Sequence, residues 1–378
     1  MLRVNIHVYP SFFTNESRIL REATAIIDLG FSDQVILVGL WKEGLPRREK
    51  ISQKIHLIRV SGLFRKRSNS SWENLIVFVF LFFQLAKIAF KNRPFAINAH
   101  ALTMLPFCVP IARLVRSKLI YDAHELETET YASRGLRKRL AKFVERICVR
   151  FVDWTVVVSH SIEEWYRKEY GLSNITTIKN IPVFQDKMRD SDLKQKLGLS
   201  NDTILYVYVG LLSGGRGIGQ IIQCFAKPEN SQNHVVFIGY GDLMDEVKRS
   251  LKSNIHFLPA VSPAELPALV AGADIGLSLI EPSCLSYYCS LPNKTFEYLS
   301  AGLPFICSDL PDVRKEFDEY DICWFSNPDC LDKLIREMTR EELKRKKKSV
   351  IMHRQKWDWN VEKLKLADVY QSITTSTL

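Results

Sequence analysis

Short runs of β-branched and aromatic residues alternate along the chain with segments whose apolar positions recur every three or four residues. Val4 to Tyr9, Gln34 to Leu40, His56 to Val60, Phe95 to Ala99, Lys118 to Tyr121 and Trp154 to Val158 read as strands. Helical patterns lie between them at Ser17 to Leu29, Trp72 to Phe90 and Arg137 to Val152. The second half repeats the theme. Its strands fall at Ile204 to Val209, His234 to Ile238, Ile255 to Phe257, Ile275 to Leu279 and Pro304 to Cys307. Its helices fall at Gly217 to Phe225, Asp242 to Lys252, Pro263 to Ala271, Asn293 to Ala301 and Pro311 to Phe317. This alternation specifies an α/β fold with doubly wound parallel sheets. At 378 residues the chain exceeds what one core supports. The polar stretch 181–200, through Asp186 to Lys196, separates two Rossmann-like domains, 1–185 and 190–355, leaving a final helix in 356–378. Two such lobes, facing each other, leave a cleft at the carboxyl ends of their strands, where ligands of open α/β sheets bind.

A net charge of +10 calls for an acidic partner. No zinc-finger, RNA-recognition or helix-turn-helix signature is present, so phosphorylated substrates and anionic lipid come before nucleic acid. The eight cysteines form no CxxC pair, and several sit in apolar runs such as Phe305-Ile306-Cys307. They read as reduced thiols, with neither a disulfide framework nor a metal site. The chain opens on a strand-like segment without the apolar stretch of a signal peptide, so a cytoplasmic location is expected.

Two segments bear on membrane contact. Leu75 to Phe83 is almost wholly apolar, with Arg65-Lys66-Arg67 before it and Lys91-Asn92-Arg93 after. It fits a buried helix of the first domain or a helix lying in a membrane interface. A full span is disfavoured, because the flanking strands must share one sheet. Arg139, Lys142, Arg146 and Arg150 recur at helical spacing and define a basic face suited to an anionic inner membrane surface.

Candidate chemistry concentrates in the second half. In Pro292-Asn293-Lys294-Thr295-Phe296-Glu297 a helix should start near Pro292 and end at Gly302. Its N-terminal amides and dipole make a phosphate site to which Lys294 adds a cation. Glu297, one turn beyond Asn293, can accept hydrogen bonds from a ribose diol. Val209 to Gly219 is a glycine-rich turn between strand and helix, where Gly214 and Gly215 let the backbone approach a ligand and Arg216 offers a fork for phosphate oxygens. The acidic residue expected about 20 positions on in an NAD site is missing, so a diphosphate fits better.

These motifs, with Phe237 to Gly241 and Ala273 to Leu279 between them, resemble the GT-B glycosyltransferases called family 4. Tyr121-Asp122-Ala123-His124-Glu125, Asp153 to Ser159 and Ile178 to Pro182 resemble that family's first-domain landmarks, and Trp357 to Tyr370 its closing helix. The resemblance implies that Arg216, Lys294, Asn293 and the helix start hold the donor diphosphate, and that Glu297 holds the ribose. Gly239 and Gly241 would leave room beside the nucleotide. His124 would lie near the transferred sugar; read from the residues alone, it is equally a satisfied histidine at a strand end. His100 is a second cleft candidate, and Arg18 reads as a surface helix arginine that could reach the cleft. Two departures stand out. Cys289 replaces the family's usual first glutamate, and Leu211 and Leu212 stand where an arginine is common. The implied activity is retaining transfer from a UDP- or GDP-sugar to a saccharide acceptor, metal-independent because Arg216, Lys294 and the helix dipole take the metal's place; a lipid-linked acceptor in polysaccharide assembly fits the apolar helix and the basic face. No cofactor is implied beyond that donor. A nucleotide-sugar isomerase and a non-catalytic binding subunit of the same fold are the alternatives.

Overall fold

The computed structural model describes residues 2–14, 16–61, 71–131, 133–184, 191–262 and 265–375, with backbone alone for 71–78. Arg65-Lys66-Arg67, Asn15, the 185–190 part of the polar stretch and the start of the helix expected at Pro263 lie outside the described residues, as do the side chains of Leu75 to Phe78. The chain forms two compact units. The first comprises residues up to Ile178 together with Lys363–Leu378, and the second is Lys179–Glu362.

The first unit holds strands β1 (Val4–Val8), β2 (Gln34–Leu40), β3 (Arg48–Lys50), β4 (Ile55–Val60), β5 (Ala96–His100), β6 (Lys118–Ala123), β7 (Trp154–Val157) and β8 (Ile175–Thr177). They form one sheet in the order β3-β4-β2-β1-β5-β6-β7-β8, parallel except for β3 against β4. Val35, Leu37 and Ile55 pack with Ile19 and Ala23 of the helix Ser17–Asp28 in an apolar layer. Strand order reverses between β1 and β5, the place where open α/β sheets bind ligands. Register puts His7 beside Asn98 and His100 beside Asp122 at the carboxyl ends of these strands.

The second unit holds β9 (Leu205–Leu211), β10 (His234–Tyr240), β11 (Ile255–Pro259), β12 (Ile275–Ser278), β13 (Phe305–Cys307) and β14 (Cys323–Phe325), an all-parallel sheet ordered β11-β10-β9-β12-β13-β14. Val207, Val209, Val236 and Ile238 face one apolar layer, while Tyr206, Tyr208, Val235 and Phe237 face the other. Burial on both sides explains why β9 and β10 read as nearly continuous apolar runs. The α/β, parallel-sheet expectation therefore holds for both units. Sequence patterning missed β3, β8 and β14, and the helices Leu105–Val115, His160–Tyr170, Leu331–Glu337 and Arg340–His353.

No helix among the described residues is long and apolar enough to cross a membrane. The helix Gly135–Cys148 departs from its expected basic face. Lys142 is ion-paired to Glu129 at 3.0 Å and Arg146 to Glu169 at 2.8 Å, both acids coming from outside the helix. The outward stripe is apolar instead: Leu136 (81% exposed), Leu140, Phe143 (61%) and Ile147. Exposed Arg137, Arg139 and Arg150 border it.

Candidate functional site

In the second unit, the helix Asn293–Ser300 begins after Pro292, which is extended and lies outside the helix rather than in its first turn. No side chain caps this N-terminus. The helix is fixed by Tyr298, whose hydroxyl donates toward Leu277 O at 2.9 Å and accepts from Val209 N–H at 3.3 Å. β9 and β12 pair only as far as Val207 with Gly276, so this hydroxyl satisfies backbone groups beyond the point where the strands part. A side chain at Gly276 would strike the Tyr298 ring.

That anchoring places Lys294 and Glu297 beside the turn after β9. Lys294 is buried, its Nζ 3.7 Å from the centre of the Tyr208 ring and without a hydrogen-bond partner. Burial, then the Arg216 charge, holds its ammonium well below the usual lysine range, with Glu297 pulling the other way. Arg216, partly exposed, is steadied by a 3.1 Å bond from Nε to Ser213 Oγ. Asn293 is exposed at the helix start, and Gly214 is exposed in open space. At Gly215, with φ +77°, a Cβ would meet the Tyr287 ring. Gly239 and Gly241 are required by the chain itself: a Cβ there would sit 1.9 Å from Gly210 O and 2.3 Å from Leu212 O respectively. The room they provide is thus filled by backbone. Arg216, Lys294 and Glu297 thus lie together, with the Lys294 amine desolvated between a guanidinium and a carboxylate.

A second cluster sits at the carboxyl ends of β1, β5 and β6. Asp122 Oδ2 lies 2.9 Å from His100 Nδ1 and 3.1 Å from His124 Nε2. His100 Nε2 lies 2.8 Å from His7 Nδ1. The His124 side chain is 26% exposed; His7 and His100 are fully buried. Arg18 is the clearest departure from its sequence reading. It is buried, its Nη2 3.0 Å from Asp122 Oδ1 and its Nε 3.2 Å from Oδ2, and its Nη1 donates to Ile178 O at 2.9 Å. Arg18 also pairs with Glu22 at 3.0 Å. His7 and Asp122 carried no role in the sequence reading; the signal that could have found them was their place at the ends of neighbouring strands.

Two groupings here have metal-compatible donor spacing among the described residues, His7-Glu22-His100 and His100-Asp122-His124. In the second, the Asp122 carboxylate already carries the Arg18 guanidinium, whose charge opposes a dication at the same place.

Burial raises Glu22 from 4.5 to about 8 and Glu127 from 4.5 to about 7, and lowers His100 from 6.5 to about 4, with His7 moving in the same direction. The raised carboxyls contribute stability that is complete below 4.5 and lost as pH rises through 7 to 8; the lowered histidines contribute stability complete above 6.5 and lost as pH falls toward 4. The trends oppose each other between 4.5 and 6.5. The denaturant midpoint is therefore expected to be flat there and to fall from pH 6.5 to 8. A midpoint still climbing over that upper interval would show that these groups do not govern it.

Residues 16–181 match the family model Glycosyltransferase Family 4, and residues 222–364 match the model Glycosyl transferase-like. Among curated proteins, the chain is 24% identical over 225 residues to Chitobiosyldiphosphodolichol beta-mannosyltransferase of Candida albicans, covering 52% of this chain and 48% of that one. The chain spans about half the length of the curated relatives it matches. Among solved structures, sucrose-phosphate synthase of Thermosynechococcus elongatus aligns with a TM-score of 0.78 at 13% identity, over 99% of this chain and all of that one. Anabaena Alr3699/HepE in complex with UDP and glucose aligns with a TM-score of 0.71 at 15% identity over the full length of both.

Proposed function

We propose that this chain, which matches the family 4 model over residues 16–181 and the glycosyl transferase-like model over residues 222–364, transfers a sugar from a UDP- or GDP-sugar to a lipid-linked saccharide in glycan assembly, retaining the anomeric configuration. The observation that carries this reading is the buried Lys294 ammonium without a hydrogen-bond partner, set beside Arg216. A desolvated cation needs an anion, and a diphosphate supplies one with several acceptor oxygens. Fixed cations also stabilise charge as it builds on the leaving diphosphate, which lowers the barrier without a metal ion. Glu297 accepts from the ribose hydroxyls, Asn293 and the helix start add donors to the phosphates, and His124 of the first unit contacts the transferred sugar. The Candida albicans relative is named for a lipid-diphosphate saccharide, and the Anabaena structure holds UDP and glucose; both support the substrate classes proposed.

The direct test is a thermal-shift panel with UDP, GDP, ADP, CMP and NAD on wild type and Glu297→Ala. A ligand at 100 times its dissociation constant adds about 2.7 kcal/mol, which moves the midpoint by several degrees. A shift with UDP or GDP that is lost in the variant supports the site. A shift with NAD, or none, removes it. Product anomeric configuration by proton NMR tests retention.

We also place the protein on the inner face of an anionic membrane, through the apolar stripe Leu136, Leu140, Phe143 and Ile147 with its arginine border. Leu140→Glu with Phe143→Glu is expected to abolish sedimentation with phosphatidylglycerol vesicles. Equal sedimentation would assign the stripe to another partner.

A further inference from the structure

The histidine cluster of the first unit holds more order than its distances alone suggest, because each bond constrains the next. Asp122 receives four nitrogens: Arg18 Nε and Nη2, His100 Nδ1 and His124 Nε2. Three of them converge on Oδ2 and one, Arg18 Nη2, on Oδ1. The Arg18 charge keeps Asp122 ionised, well below the usual carboxylate range despite burial. An ionised carboxylate only accepts, so both His100 Nδ1 and His124 Nε2 must carry hydrogen.

The consequence runs in both directions. His100 is neutral in its buried setting, so with hydrogen on Nδ1 its Nε2 is bare. That nitrogen accepts from His7 Nδ1 at 2.8 Å. His7 is likewise neutral, so its Nε2 is bare and meets the Asn98 amide nitrogen at 3.4 Å. Asn98 is locked by Asn5 Oδ1 at 2.7 Å and by the Tyr370 hydroxyl. The chain of donors thus points one way, from His7 through His100 to Asp122. His124 lies at its open end, its Nε2 3.2 Å from His100 Nδ1 and 3.1 Å from Asp122 Oδ2, the acceptor of the two. With hydrogen on Nε2, the remaining ring nitrogen of His124 is Nδ1, which makes no hydrogen bond among the described residues.

We propose that Asp122, His100 and His7 are positioning residues that hold His124 as the Nε2–H tautomer, so that it meets substrate through Nδ1 as an acceptor from a sugar hydroxyl. The sugar-contacting role rests on the function proposed above; the tautomer does not. A histidine free to present N–H would donate to the same oxygen, and a substrate bearing fluorine there would still bind. With Nδ1 bare, fluorine in place of the hydroxyl meets a lone pair and is rejected.

The first readout is imidazole nitrogen NMR of the full chain near pH 8, with His124 assigned by its loss in His124→Asn. The Nε2–H pattern is expected, and the Nδ1–H pattern or an even mixture overturns the proposal whether or not transfer is ever detected. The second readout separates positioning from folding. His100→Asn places an amide N–H near the former Nδ1 and still donates to Asp122, whereas His100→Leu does not. Loss of an orienting partner costs about 10- to 100-fold in activity. His100→Leu is therefore expected to lose that factor in kcat with the donor KM within about twofold, and His100→Asn to recover most of it. Activity that follows melting temperature across both variants, with His124 still Nε2–H in each, would reduce the pair to a purely structural role and overturn the positioning claim. If the nitrogen spectrum is as expected but no UDP- or GDP-sugar is turned over, the proposed function fails while the tautomer stands.

Discussion

Replacing Arg18 with leucine is expected to cost the fold about 3–5 kcal/mol, the range for removing one partner of a buried ion pair. The guanidinium is the only cation among the described residues bonded to Asp122, and it bonds both carboxylate oxygens. Leucine fills part of the volume but leaves that carboxylate buried with only the two histidine N–H donors and no fixed cation. Arg18 also satisfies Ile178 O, at the point where the first unit hands over to the second. Lysine restores charge without the planar fork, so Arg18→Lys should recover only part of the loss. Urea unfolding of the three proteins decides the matter. A loss under about 1 kcal/mol for Arg18→Leu, the scale of an exposed pair, would mean that water replaces the guanidinium.

Lys294→Met should behave in the opposite way. The ligand-free protein is expected to be at least as stable as wild type, because a desolvated ammonium without a hydrogen-bond partner is exchanged for an apolar chain of similar length. Methionine sulfur also packs well against an aromatic ring, here Tyr208. Affinity for UDP or GDP should nevertheless fall about 10- to 100-fold, the value of a charge-assisted hydrogen bond worth about 1.5–3 kcal/mol. Calorimetric titration and a melting curve on the same sample measure both. Unchanged affinity would take Lys294 out of the phosphate site, and a lower melting temperature would show that the ammonium stabilises the empty fold. Opposed signs in the two measurements are the mark of a site kept at the expense of stability.

The sheets were legible because their strands are buried on both faces, so that Val35 to Val38 or Val235 to Ile238 read as apolar runs whatever surrounds them. Three-residue strands such as Ile175–Thr177 and Cys323–Phe325 carry too few positions for any period to show. The helix Leu105–Val115 was hidden by Pro106 and Pro110, which read as breaks although the helix accommodates both. Arg216, Lys294 and Glu297, which the structure brings together, stood out by their order along one glycine-rich turn and one helix. Arg18 was misread because Asp122 and Ile178, which draw it inward, lie 104 and 160 residues away, beyond the reach of local pattern. The helix Gly135–Cys148 was misjudged for a related reason. Its Lys142 and Arg146 are paired to Glu129 and Glu169 from elsewhere, while Arg139 stays exposed, and the leucines and phenylalanine left outside look like core positions in a sequence.

The helix Trp359–Thr375 belongs to both units, changing allegiance between Glu362 and Lys363. Its Tyr370 hydroxyl is held by Asn5 and Asn98 inside the first sheet. During synthesis at about 5–20 residues per second, the ribosome makes all of the second unit before the segment that closes the first. The half begun earliest is thus completed last, and for on the order of ten seconds or more its oldest strands stand without their final cover.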